Sequence, residues 1–180
     1  DTDRISKLVS NLLDLAWVGM SQNTLNNKQF NLSEVTNDLA QIALKLGLQK
    51  NIVVNIDIDK NIKIYGDESK ISRAILNLID NAIKYTEKGE IHVFLEQKDA
   101  CLEFAVKDTG VGISLPKDQF GKLFERFFQE RPRIDGAGVG LAICKNIIDS
   151  HKGNLWAESE GREKGSTFKF VLPIARQDAV

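Results

Sequence analysis

One helix-length segment constrains this chain more than any other. Between Asp67 and Thr86, Ile71, Ala74, Ile75, Leu78, Ile79 and Ala82 recur at spacings of three and four, the period of an α-helix that buries one face. At about 100° per residue, Asn77, Asn81 and Lys84 fall within about 60° of one another beside that face, and Tyr85 lies at its other edge. Asn costs about 0.5–0.7 kcal/mol against Ala in a helix interior. Two of them one turn apart, with a Lys one turn further, are therefore an unfavourable choice at the border of a core. The array suits polyphosphate with a divalent cation: a carboxamide oxygen can coordinate Mg²⁺ while phosphates supply other ligands, and a Lys can neutralise phosphate as a point charge. A solvated helix edge, with Asn and Lys simply facing water, accounts for this helix equally well.

A helix buried on one face needs a sheet or other helices beneath it, and the rest of the chain supplies both. Ser33 is expected to cap a helix carrying Val35, Leu39, Ile42, Ala43 and Leu46, ended by Gly47. Ile52–Ile56 and Ile62–Tyr65 read as strands, and Glu90–Glu96 with Cys101–Lys107 as a hairpin around Lys98-Asp99. A helix over Leu141–Ser150 ends at His151-Lys152-Gly153, where a cationic His suits the helix dipole. Strands over Asn154–Ser159 and Thr167–Leu172 follow. There is no repeat and no strict β-α-β alternation. The expectation is an α+β fold, a two-layer α/β sandwich of mixed, mostly antiparallel sheet with helices on one face. With 180 residues, 42% of them hydrophobic, one packed domain is expected over residues 32–175. Ahead of it, residues 1–19 carry a stripe of Ile5, Leu8, Leu12 and Leu15 that needs a partner helix, and the polar, Asn-rich residues 20–31 read as a linker.

Composition narrows the partners. Lys+Arg 24 against Asp+Glu 25 leaves a net charge of -1, so no global field attracts nucleic acid or an anionic membrane. Cys101 and Cys144 make neither a disulfide framework nor a zinc site and fit a reducing cytoplasm. No apolar run approaches the roughly 18 residues that span a bilayer, and the first residues do not resemble a signal peptide. A start at Asp1 without Met reads as an excised or processed piece.

Three glycine elements punctuate the second half. Asp108-Thr109-Gly110-Val111-Gly112-Ile113 follows a strand directly; the carboxylate can accept a hydrogen bond from an exocyclic amine while the glycines admit a flat base, or the segment is a plain strand-ending turn. Gly136-Ala137-Gly138-Val139-Gly140-Leu141 opens a helix whose first N–H groups form a phosphate seat, or is a loop needing glycine torsions. Gly165-Ser166-Thr167-Phe168 enters the last strand, as a hairpin turn also would. Between the first two lie Phe120, Phe124, Phe127 and Phe128 with Glu125 and Arg126, a lid with apolar anchors or a short core helix.

Taken together, these residues resemble the catalytic, ATP-binding domain of bacterial sensor histidine kinases, in the wider ATP-binding group that holds gyrase B, Hsp90 and MutL. The resemblance runs from about Phe30 to Pro173. Asn77–Thr86 looks like the family's N box, Asp108–Gly112 like its first glycine box, Phe124–Phe128 like its F box, Gly136–Leu141 and Gly165–Phe168 like its second and third glycine boxes. Five boxes in order are highly specific. By that resemblance, Asn81 coordinates Mg²⁺ with Asn77 assisting, and Lys84 contacts phosphate. Tyr85 lines the adenine pocket and Asp108 binds the adenine amine, with Thr167 nearby. Gly110, Gly112, Ile113, Phe127, Gly136, Gly138, Gly140 and Leu141 complete the implied ATP site, Arg126 joins the catalytic set, and residues 114–137 form a mobile lid. Residues 1–19 resemble the end of a dimerisation-domain helix. The implied activity is transfer of the γ-phosphoryl of Mg-ATP to a histidine on that dimerisation domain, with a response regulator downstream. The implied parent is a homodimer whose kinase part is cytoplasmic and contacts neither nucleic acid nor membrane through this segment.

Two departures stand out. Glu163 occupies a position where the third box usually carries another glycine. The phosphoacceptor histidine motif is absent, since the only histidines are His92, in a strand, and His151, at a helix end. Among related activities, a hydrolysing clamp carries Glu where this chain has Asn77, because attacking water must lose a proton; Asn cannot be that base. A nucleotide-binding pseudokinase is the remaining alternative, disfavoured by intact Asn81, Lys84 and Asp108.

Overall fold

The computed structural model describes residues 24–131 and 138–174. The expected helix at residues 1–19, the first part of the linker and Gly136 lie outside the described residues. Two sheets and three α-helices make up the rest. A five-stranded sheet has the order β2-β4-β5-β7-β6, built from β2 (Ile52–Ile58), β4 (Gly89–Lys98), β5 (Cys101–Asp108), β6 (Asn154–Glu158) and β7 (Ser166–Pro173). Only β2 and β4 pair in parallel; the other neighbours are antiparallel. A small ribbon pairs β1 (Lys28–Asn31) with β3 (Lys63–Gly66). The segment read as linker therefore ends in a strand. Its polar residues gave no alternation to detect, and its pairing partner lies over thirty residues away.

Strand alternation decides what each face does. Ile91, Val93 and Leu95 on β4, Leu102, Phe104 and Val106 on β5, and Phe170 and Leu172 on β7 are all buried under the helices. Phe104 and Phe170, opposite one another in the register, stack at 5.0 Å. The alternate residues, among them Phe94, Glu103, Lys107, Thr167 and Lys169, face outward on the open side. This is the expected two-layer sandwich, helices on one face.

The helices are α1 (Leu32–Lys50), α2 (Glu68–Tyr85) and α3 (Gly140–Ser150). Asn31, not Ser33, caps α1, accepting from the Ser33 and Glu34 amides. Ser33 is buried instead, donating to the Asp59 carbonyl and accepting from the Ile62 amide, so it ties the helix to the β2–β3 turn. Gly47 does not end α1 either. The helix runs past it to Asn51, whose φ of 56° supplies the left-handed cap. Gly47 sits where α1 presses on β2, and a Cβ there would lie 2.6 Å from a Val54 methyl. The glycine permits close packing rather than termination.

The helix expected over Asp67–Thr86 is α2, and its apolar stripe is the centre of the core: Ile71, Ala74, Ile75, Leu78 and Ile79 are fully buried. Asp67 caps its start, accepting from the Lys70 amide and the Ser69 hydroxyl. At its other end the Lys50 ammonium, from the last turn of α1, donates to the carbonyls of Ile83 and Thr86. These are carbonyls that a helix end leaves without intrahelical partners.

Candidate functional site

Between the end of α2, the turn after β5, the start of β7 and residues 128–131 lies a cavity open to solvent, with about 580 Å³ of empty space counting its open mouth. Asn81 and Tyr85 line it from α2, Asp108, Gly112 and Ile113 from β5 and its turn, and Leu141 from α3. Six residues singled out in the sequence thus converge, drawn from segments up to sixty positions apart.

Asp108 is the polar floor. It is 4% exposed, yet one carboxylate oxygen accepts from the Gly110 amide at 2.8 Å and the other from the Ser166 hydroxyl at 2.7 Å. Burial raises its pKa above the usual 3.8, and those hydrogen bonds offset part of the rise. Gly110 is required by contact rather than torsion. A Cβ there would stand 2.2 Å from the Tyr85 carbonyl, which itself accepts from the Val111 amide at 3.1 Å. The first glycine pair therefore knits the end of β5 to the end of α2. Gly165 closes the same knot, its amide donating to the Gly110 carbonyl. Glu163, in the glycine-like position of the third box, indeed adopts a φ of 60°.

Asn77 and Asn81, one turn apart, take different tasks. Asn81 faces the cavity; the Asn77 amide donates to the Gly140 carbonyl at 3.3 Å and braces α2 against the first residue of α3. Lys84 is exposed and pairs with Asp80 at 2.7 Å, outside the cavity lining. Arg126 is exposed as well and does not line the cavity. Burial raises the pKa of the Tyr85 phenol, which also feels the charges of Lys84, Glu130 and Arg131.

Two of the expected site residues, Phe127 and Thr167, do not line the cavity, and the neighbour of each does. Phe127 is 62% exposed with a φ of 64°, its amide donating to the Gly138 carbonyl; Phe128, beside it, lines the cavity. Thr167 points to the open face, and Ser166 takes the place beside Asp108, its partner in the β5–β7 register. Alternation contained that signal, because Phe168 and Phe170 point inward, which puts Ser166 inward too. Phe120, Phe124 and Phe128 pack with Ile113, Leu123 and Ala157 in a second apolar cluster around a 3₁₀ helix over Lys117–Phe124. Of the two readings of the phenylalanines, the short packed helix is present, with Phe120 and Phe124 in it. Gln129, Glu130 and Arg131, also on the cavity wall, carried no pattern that marked them.

For a divalent cation, no group of three or more His, Cys, Asp or Glu side chains is poised among the described residues. Asn81, facing the cavity, fits a Mg²⁺ that takes its remaining ligands from phosphate and water. The gyrase-type alternative is not favoured here: a Glu in place of Asn77 would have no proton to donate to the Gly140 carbonyl.

Comparison with known proteins points the same way. Residues 66–176 match the family described as histidine kinase-, DNA gyrase B-, and HSP90-like ATPase. The chain is 34% identical over 184 residues to the hybrid signal transduction histidine kinase C of Dictyostelium discoideum, covering 93% of this chain and 15% of that protein. It is 31% identical to the adaptive-response sensory kinase SasA of Synechococcus sp. (strain CC9902), covering 96% and 46%. The chain thus spans less than half the length of either relative. Among solved structures, full-length ShkA in complex with AMPPNP superposes with a TM-score of 0.80 at 27% identity, over 98% of this chain and 37% of that one. Histidine kinase ThkA in complex with the response regulator protein TrrA gives 0.78 at 25% identity, over 99% and 50%. Family match and cavity geometry together make this chain a member of the histidine kinase-, DNA gyrase B- and HSP90-like ATPases, a catalytic ATP-binding domain of the sensor histidine kinase type.

Proposed function

We propose that the cavity binds Mg-ATP and that the chain is the phosphoryl-donating part of a sensor histidine kinase, acting on a histidine of a dimerisation domain. The observation that carries this reading is the pairing of a buried carboxylate, Asp108, with Asn81 across one cavity. Asp108 accepts from the amine of adenine, with Ser166 holding its second oxygen, and the apolar wall of Ile113, Leu141 and Phe128 receives the ring. Asn81 holds Mg²⁺, which would neutralise charge on the phosphates. The incoming imidazole nitrogen forms a P–N bond as the bond from the γ-phosphorus to the bridging oxygen breaks, its electron pair leaving on ADP. An imidazole brings its own lone pair, which fits a site with Asn rather than a carboxylate base at position 77.

A response regulator is the proposed partner downstream, by analogy with the ThkA complex. No described helix is long and apolar enough to cross a membrane. The test supplies histidine-bearing dimerisation helices in trans with labelled ATP. Transfer of label to those helices, lost together with ATP binding in Asp108→Ala, is the expected result. ATP binding without transfer supports a pseudokinase instead, and unchanged affinity in Asp108→Ala removes the adenine assignment.

A further inference from the structure

Ser159, the first residue of the turn between β6 and β7, is buried and does not line the cavity. Its hydroxyl is nevertheless fully used. It accepts from the Ile113 amide at 3.1 Å and from the Gly161 amide at 3.2 Å, and it donates to the Gly165 carbonyl at 2.7 Å. The Gly161 carbonyl lies farther off, at 3.3 Å. A hydroxyl offers one proton and two lone pairs, so all of this one is spent on backbone.

The groups it ties belong to different parts of the site. Ile113 ends the first glycine element and is part of the apolar wall of the cavity. Gly165 precedes Ser166, whose hydroxyl holds one oxygen of Asp108. Around Ser159 the two turns meet backbone to backbone, the Glu163 amide donating to the Val111 carbonyl and the Gly165 amide to the Gly110 carbonyl. The hydroxyl therefore sits behind the join between the apolar wall and the polar floor. Without it, the Ile113 amide and the Gly165 carbonyl both lose a buried partner, and each gains by moving to find another.

We infer that Ser159 is a positioning residue for recognition of the base: its hydroxyl sets the Ile113 wall against the Asp108–Ser166 pair and so fixes how the carboxylate meets the exocyclic amine. This rests on the nucleotide reading of the cavity proposed above. Ser159 touches no ligand and acts through Gly165 and Ile113.

The experiment titrates the 180-residue chain and its Ser159→Ala and Ser159→Cys variants with ATP and with inosine triphosphate in Mg²⁺, by calorimetry. Thermal melts check that each variant folds. Inosine carries a carbonyl where adenine has its amine, so the ratio of the two affinities reads the Asp108 contact. A site built around a hydrogen bond rejects the analogue that lacks it, and the parent chain is expected to prefer ATP. A merely structural role lowers the folded fraction and leaves that ratio intact. Ser159→Ala is expected to weaken ATP about tenfold and inosine triphosphate less than about threefold, so that discrimination narrows. Cys is close to Ser in shape but a weak donor and acceptor, so Ser159→Cys should behave like Ser159→Ala. A Cys variant with the parent's affinities would mean that only volume matters there, and would overturn the inference. So would an Ala variant that keeps the parent's ratio, whether or not both affinities fall. Should neither variant fold, amide hydrogen exchange in the parent chain decides. Exchange at Ile113 should be slow and slow further with ATP than with inosine triphosphate at equal saturation, and no difference between the two overturns the inference. A parent chain with no preference for ATP overturns the reading of Asp108 itself, a different failure from a preference that ignores Ser159.

Discussion

Asp108 is a residue kept at odds with its surroundings. Burial penalises its ionised form more than the Gly110 and Ser166 bonds reward it, so its folded pKa lies above 3.8. The sign follows from linkage: stability from this group is fully present below about 3.8 and is lost as pH rises through the raised folded value. Asp108→Asn, which can still accept from Gly110 and donate to the Ser166 hydroxyl, escapes that loss. Its melting temperature should exceed that of the parent chain at pH 7, and the gap should close as melts are repeated toward pH 4. Asp108 itself was legible because a carboxylate before a Gly-x-Gly turn is conspicuous. Ser166 and Arg131 were not. Alternation with Phe168 and Phe170 sets Ser166 on the inner face, but only the β5–β7 register puts it opposite Asp108, and Arg131 reaches the cavity only through a loop path with no periodicity. Phe127 stays outside the cavity for a related reason: it is exposed at a left-handed backbone position, and nothing in a run of phenylalanines says which one turns.

At the scale of elements, α2 was the most readable because its polar stripe and apolar face obey one period over five turns. Its boundaries were read to within a residue, Glu68–Tyr85 against Asp67–Thr86. What could not be read is how its far end is finished. No glycine cap closes it; the Lys50 side chain reaches across from α1 to the Ile83 and Thr86 carbonyls. Lys50→Met keeps the aliphatic stem and deletes that cap. It should destabilise the domain by about 1–2 kcal/mol in urea unfolding, from lost hydrogen bonds and lost interaction with the helix dipole. Hydrogen exchange should rise first in the last turn of α2, beside Tyr85. The β1–β3 ribbon was invisible for the opposite reason. A four-residue, mostly polar strand exists only because its partner, over thirty positions on, is held by the core.

The molecule as a whole is organised around a joint at Asp67. The carboxylate caps α2 and accepts from the Asn26 amide of the incoming chain, while its own amide donates to His151 Nε2 at the end of α3. The His151 Nδ1 meets the Ile147 carbonyl, so both ring nitrogens are engaged at this joint. The sequence suggested a cation at that helix end; the structure uses an acceptor. Burial raises the Asp67 pKa, but bonds from Asn26, Lys70 and Ser69 and the Lys70 charge bring it below 3.8 overall. Its contribution to stability is thus present above that value and lost as pH falls below it. Asp67→Ala should cost about 2 kcal/mol at neutral pH, measured by denaturant unfolding, with the deficit narrowing in acid. Lys70 also donates to the Thr24 carbonyl, so the chain arriving from the N-terminal side is gripped at the base of the helix that carries Asn77 and Asn81.

The brace from Asn77 to the Gly140 carbonyl has a further meaning when the family is considered as a set of possible enzymes. A carboxylate at that position could deprotonate water, but it would face a carbonyl oxygen with nothing to give and would push α3 away from α2. The change that adds a hydrolytic base is also the change that removes the strut. In this domain, position 77 belongs to the frame, and exchanging its carboxamide for a carboxylate would loosen the contact between α2 and α3.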